Sequence, residues 1–197
     1  MEIFQTHKVE IRDEPFTLVN GKKLNQTVYV SLYNDHGNRI RLLKFARLDV
    51  QEIYEWIREG KELDFSQCYL WNFTLAEYRK MGDFTDQHVV KLESLNAENS
   101  FFDGDVEIDF SWAHFSSTVP NFKNAIFSGR QLTFYHTVFE DGTKEFSDTF
   151  FNVGEINFQY SDFNKGSINF KDATFHSNNV SFVNSDFSDG KVYFTGC

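Results

Sequence analysis

Apolar side chains in the second half of the chain return every twelve residues. Phe110, Phe122, Phe134, Phe146, Phe158, Phe170, Phe182 and Phe194 form one row without a gap, and Phe115, Phe127, Phe139, Phe151, Phe163, Phe175 and Phe187 form a second row five residues behind it. A small residue sits between the rows each time: Ala113, Ala125, Thr137, Thr149, Ser161, Ala173, Ser185 and finally Cys197. Two positions ahead of the first row the side chain is branched and apolar at Ile108, Leu132, Ile156, Ile168, Val180 and Val192, with Pro120 and Lys144 as exceptions. Such a repeat decides the fold before any local propensity does. Both Phe-centred segments alternate with period two, which predicts very short strands. Steps of five and seven fit no face of a 3.6-residue helix. Gly142, Gly154, Gly166, Asn178 and Gly190 recur three residues after the second Phe, and these types accept positive φ cheaply. A tight corner is therefore expected in every spacer.

This unit resembles the pentapeptide-repeat proteins, in which a large residue points inward every five residues and a small residue two positions earlier does the same. Ala113 with Phe115, Thr137 with Phe139 and Ser161 with Phe163 show the pairing. The resemblance covers residues 63 to 75, through Phe65, Cys68, Leu70, Phe73 and Leu75, and residues 95 to 197, beginning with Leu95, Ala97, Ser100 and Phe102. It implies an all-β solenoid, a right-handed quadrilateral β-helix whose structural core is the two Phe rows from Phe110 to Phe187. Two departures are evident. Alternate faces carry a branched residue where a small one is usual, and each repeat is two residues longer than two pentapeptides. A coil of about 24 residues, made of two repeats, accommodates both. A flattened twelve-residue coil would crowd two Phe and their neighbours into a two-sided interior.

The first 60 residues show no repeat and read as a hairpin-plus-helix cap, with the solenoid following over 61 to 197. Val19-Asn20-Gly21-Lys22 is a turn signal, and Val28, Val30 and Leu32 alternate before Asp35-His36-Gly37-Asn38 and a second run from Ile40 to Phe45. Asp49 is a helix N-cap, because Val50, Ile53, Tyr54 and Ile57 share one face and Gly60 closes it. This helix is expected to cover the first coil. Residues 76 to 93 interrupt the repeats, and Val89, Val90 and Leu92 after Thr85 predict a short helix there.

Composition narrows the function. Phenylalanine occupies 24 of 197 positions, which supports a repeated structural slot. The formal charge of -10 argues against direct contact with nucleic-acid phosphates. No stretch reaches the ~20 apolar residues of a membrane span, and the start has no secretory pattern, so a cytoplasmic protein is expected. Cys68 and Cys197 read as reduced packing residues. Six scattered histidines, with no paired carboxylates, nucleophile elbow or phosphate loop, indicate no enzyme, no metal and no cofactor.

With a 24-residue coil, Trp112, His136, Tyr160 and Asn184 stack as an outward column with Tyr135 and Val138 beside it. The column is either a ladder that only stabilises the coils or a surface for an unidentified protein partner. Ile126 and Phe150 form a second outward apolar column and the next candidate surface. Asp148 with Asp172 and Asp162 with Asp186 make acidic columns. Some pentapeptide-repeat proteins imitate duplex DNA and bind gyrase, and DNA mimicry is the alternative to a protein-binding scaffold. The chain ends on the small position of an incomplete repeat, so a longer solenoid or an end-to-end homodimer through the C-terminal coil is expected.

Overall fold

Every first-row Phe from Phe110 onward opens a four-residue turn. In the computed structural model, which describes residues 3–116 and 120–197, each of their carbonyls accepts the N–H of the small residue three positions on, at 3.0–3.4 Å. From Trp112 to Asn184, the third residue of the turn lies at φ between 54° and 58°. A single positive φ at that place is type II geometry. The tight corner therefore falls between the two Phe rows and not in every spacer. Gly142 and Gly166 do turn, at φ 123° and 103°. In the alternate spacer, however, the strand Phe150–Asn157 runs straight through Gly154. A Cβ there would stand 2.8 Å from the Arg130 carbonyl oxygen, so glycine is required by close approach of the next layer.

From Ile108 onward, parallel ladders place each residue beside the one 24 positions on, a step of two sequence repeats. The layer before it steps by 25 from Phe101 to Ile126 and by 23 from Val90 to Ala113. Phe150 lies between Ile126 and Thr174, Ile168 between Lys144 and Val192, and Asp162 between Val138 and Asp186. The first layer is longer: Leu63 lies beside Leu95, a step of 32. Neighbouring strands in a sheet are spaced ~4.8 Å apart, so a ring repeated at the same point of each layer must stack. Four columns result. Phe110, Phe134, Phe158 and Phe182 follow at 4.9–5.0 Å between centroids. Phe122, Phe146, Phe170 and Phe194 follow at 5.0–5.1 Å. Phe115, Phe139, Phe163 and Phe187 follow at 4.9–5.2 Å. Phe102, Phe127, Phe151 and Phe175 follow at 4.8–5.5 Å. Columns meet edge to face, as between Phe110 and Phe122. Both rows are buried from Phe110 to Phe170, while Phe175, Phe182 and Phe187 are partly buried. The small positions join the layers as well: the hydroxyls of Thr137, Thr149, Ser161 and Ser185 donate to the carbonyls of Phe110, Phe122, Phe134 and Phe158 at 2.5–2.8 Å.

The N-terminal strands β1 (Thr6–Arg12), β2 (Thr27–Tyr33) and β3 (Arg39–Arg47) form an antiparallel sheet. Only Ala46 and Arg47 of β3 pair with Cys68–Trp71, the first strand of the stack's main sheet. The sheet lies against the outward side of the stack: Val28, Val30, Leu32, Phe4 and Phe45 pack with Tyr69, Phe101, Ile126 and Phe150 in a second core. Phe4 stacks on Phe150 at 5.0 Å. This corrects the reading of Ile126 and Phe150 as partner surface. They do face away from the main core, but the apolar face of β2 covers them. The first 60 residues are thus more than an end cap, although α1 (Val50–Arg58) behaves as predicted. Asp49 accepts from the Gln51 N–H at 2.9 Å, and Ile53, Tyr54 and Ile57 join Leu63 and Phe65 in the main core.

The inserted helix also differs. It spans Leu75–Met81 (α2), while Val90–Leu92 is a strand beside Ala113–Phe115, with Val90 and Leu92 buried around an exposed Lys91. Alternation by two, not a helical face, governs that triplet. The buried Arg79 of α2 donates to Asp109 Oδ2 at 3.2 Å and to the Ser111 carbonyl at 2.7 Å. Asp109 also accepts the Ala76 N–H at 2.6 Å, capping a helix whose own Thr74 side chain does not. Among the described residues, no helix is long and apolar enough to cross a membrane.

Two predictions follow from the interior. Phe158→Ala removes a ring stacked on both sides and costs about 3–5 kcal/mol of unfolding free energy in a denaturant titration. Lys144 occupies a branched-residue slot and is fully buried, its ammonium donating to the Gly142 and Lys165 carbonyls at 3.0 and 2.9 Å. Burial pushes this amine below its ordinary range, against the pull of Asp141, Asp162 and Glu140. The unfolded chain then binds more protons between that lowered value and the ordinary ~10.4, so stability rises with pH through the window. Lys144→Ile abolishes the rise and stabilises by about 1–3 kcal/mol, read from melting curves across pH.

Candidate functional site

The corner of the stack that carries aromatic residues departs from local preference. Asn and Asp tolerate left-handed φ, and they fill the other corner at Asn99, Asn124, Asp148 and Asp172. Trp112, His136 and Tyr160 hold φ of 55°, 54° and 58° on the aromatic corner; His tolerates this region as Asn and Asp do, whereas Trp and Tyr are strained there by about 1–3 kcal/mol each. Their rings stack in line, Trp112 on His136 at 4.2 Å and His136 on Tyr160 at 4.9 Å, within 12° of parallel. Tyr135 turns its ring edgewise to all three. Each aromatic contact returns about 0.5–1.5 kcal/mol, so stacking and strain are of similar size.

The column is accessible. Tyr160 is 44% exposed, Trp112, Tyr135 and His136 are half-buried, and Val183 beside Asn184 is 57% exposed. Val138 is half-buried on the adjoining face, paired between His114 and Asp162. Glu140 anchors His114 through Nε2 at 2.9 Å. The flank across the corner carries Glu107, whose carboxyl is pushed up, first by burial and then by Asp109 and Glu155 despite Arg130. Trp112, Tyr135, His136 and Tyr160 therefore form one ridge with Val138 on the face beside it, and Ile126 and Phe150 lie elsewhere.

Residues the repeat pattern could not reveal tie the N-terminal sheet to the stack. Asp103 is buried and accepts from Tyr69 at 2.7 Å and from His7 Nε2 at 2.8 Å, tying β1 to the stack across 96 positions of sequence. Burial, then Asp103 itself, pushes the Tyr69 hydroxyl far up, so it remains a donor. Buried Cys68 has its thiol pushed up to about 12, chiefly by burial, which makes it inert as a nucleophile. Among the described residues, no three His, Cys, Asp or Glu side chains are placed to hold a metal. No protein-family model, no curated protein and no solved structure matches the chain.

Tyr160→Asn separates ladder from surface. Strain relief offsets the lost stacking, so the melting free energy changes by no more than about 1 kcal/mol. A loss of several kcal/mol in the same titration would make the column a structural ladder.

Proposed function

We propose that this chain is a non-catalytic protein-binding scaffold of the pentapeptide-repeat type, a right-handed quadrilateral β-helix that presents the ridge of Trp112, Tyr135, His136 and Tyr160, with Val138 beside it, to a partner protein. One observation carries the reading: Trp112 and Tyr160 are kept at a partly exposed corner in a conformation that Asn or Asp would adopt at less cost. Strain retained at a partly exposed position favours a role outside the fold. Aromatic residues at a partly exposed surface are the side chains most enriched at interface hot spots. Support for the four-sided coil comes from the 24-residue step, the four ring columns and the two left-handed corners per layer.

Imitation of a DNA duplex is the weaker reading. A duplex mimic needs negative charge along its whole length. Here β1, β2 and β3, with six cations against one carboxylate, cover one face.

Affinity capture with the native chain and with Trp112→Asn/His136→Asn/Tyr160→Asn tests the scaffold. A protein retained by the native chain and lost from the triple variant, with both equally folded, is the expected outcome. Identical capture by both would remove the ridge from the account.

A further inference from the structure

The charge of this chain is segregated. Residues 61–197 hold 20 acidic and 10 basic side chains, whereas residues 1–60 hold nine of each. Within the N-terminal part the cations gather on the sheet: β1, β2 and β3 carry Lys8, Arg12, Arg39, Arg41, Lys44 and Arg47 against Glu10 alone. Residues opposite one another on antiparallel strands project to the same side. Val28, Val30 and Leu32 take the buried side, which leaves Tyr29 and Tyr33 facing outward. Their rings prop the cations, with Arg12 4.2 Å and Lys44 4.9 Å from the Tyr29 centroid and Lys8 5.5 Å from that of Tyr33. Arg39 stands opposite Tyr33 on the same side.

The edge of β3 is open over most of its length. Among the described residues, only Ala46 and Arg47 have a strand partner beyond β3, so the backbone from Arg39 to Phe45 presents groups unpaired by any described strand along that edge. Beside it runs a polar groove of about 280 Å³, lined by Arg41 and the backbone side of Lys44 together with Gln67, Asn99 and Asn124 of the stack. Cations thus stand on both sides of one free strand edge, Arg39 and Lys44 on the outer side and Arg41 over the groove. Like charges discourage a second copy of the same edge, and they favour an incoming strand of opposite sign.

We propose that the free edge of β3 is a docking site for an extended acidic segment of a partner protein, which adds as a further strand and places its carboxylates against Arg39, Arg41 and Lys44. Strand addition supplies main-chain hydrogen bonds, and the cations select the charge of alternate side chains. A nucleic acid fits less well. The ring of Tyr29 is already occupied by Arg12 and Lys44, so it offers no open stacking platform. A strand as long as β3 spans roughly 30 Å, and any polyphosphate reaching past it meets the stack, where acids outnumber bases two to one.

The test is fluorescence anisotropy with a labelled peptide of roughly ten residues in which Glu alternates with Val, its Lys-for-Glu counterpart, the same acidic peptide N-methylated at alternate amides, and an oligothymidylate of equal length. Binding of the acidic peptide with Kd below about 100 μM in about 50 mM salt is expected, weakened at least ~10-fold by Arg39→Glu/Arg41→Glu/Lys44→Glu, by raised salt and by N-methylation. The N-methylated arm keeps the proposal testable even if the charge-reversed variant unfolds. Absence of acidic-peptide binding, binding unchanged by N-methylation or by a folded charge-reversed variant, or oligothymidylate bound as tightly as the peptide would each overturn it.

Discussion

Equality between the strand spacing of a β-sheet and the stacking distance of flat rings is the constraint on which the rest of this molecule depends. Because a layer repeats every 24 residues, or 25 between Phe102 and Phe127, a Phe at a given point recurs directly above its predecessor, at 4.8–5.5 Å in all four columns. The rings then leave no room for water, and the backbone polar groups must be satisfied by the neighbouring layers. Turns opened by first-row Phe carbonyls and hydroxyls reaching back to the preceding layer do this. The rigid stack that results holds surface side chains at fixed intervals.

Two surfaces of that stack were given different fates. The outward column Tyr69, Phe101, Ile126 and Phe150 is apolar enough to require cover, and the N-terminal sheet provides it from the same chain. The corner column Trp112, His136 and Tyr160 is left partly open although its backbone would favour smaller polar residues. The covering sheet in turn shows solvent a cationic face, so the chain offers surfaces of opposite sign on different sides.

The parts legible in the sequence were those governed by strict local periodicity. Twelve-residue spacing of Phe located the buried rings and the alternation of layers, and the Asp49 cap located α1 because its hydrogen bond closes within two residues. Contacts between distant segments left no local trace. Val28, Val30 and Leu32 alternate as a strand must, but nothing in that alternation says which apolar face they meet, and Ile126 and Phe150 therefore read as exposed. The Arg79–Asp109 and His7–Asp103 contacts join residues 30 and 96 positions apart. Glycine drew attention to the spacers, while the left-handed corners belong to Asn, Asp, Trp, His and Tyr, residues whose type alone does not disclose the turn.

Disulfide trapping tests the layer step most directly. Gln131 and Glu155 are partners on adjacent parallel strands, 24 residues apart, whereas Gln131 and Thr143 are one sequence repeat apart. In a Cys197→Ser background, Gln131→Cys/Glu155→Cys is expected to oxidise to an intramolecular disulfide seen by mass spectrometry, and Gln131→Cys/Thr143→Cys to stay reduced. Oxidation of the second pair in place of the first would mean a twelve-residue coil and would contradict the four stacked columns.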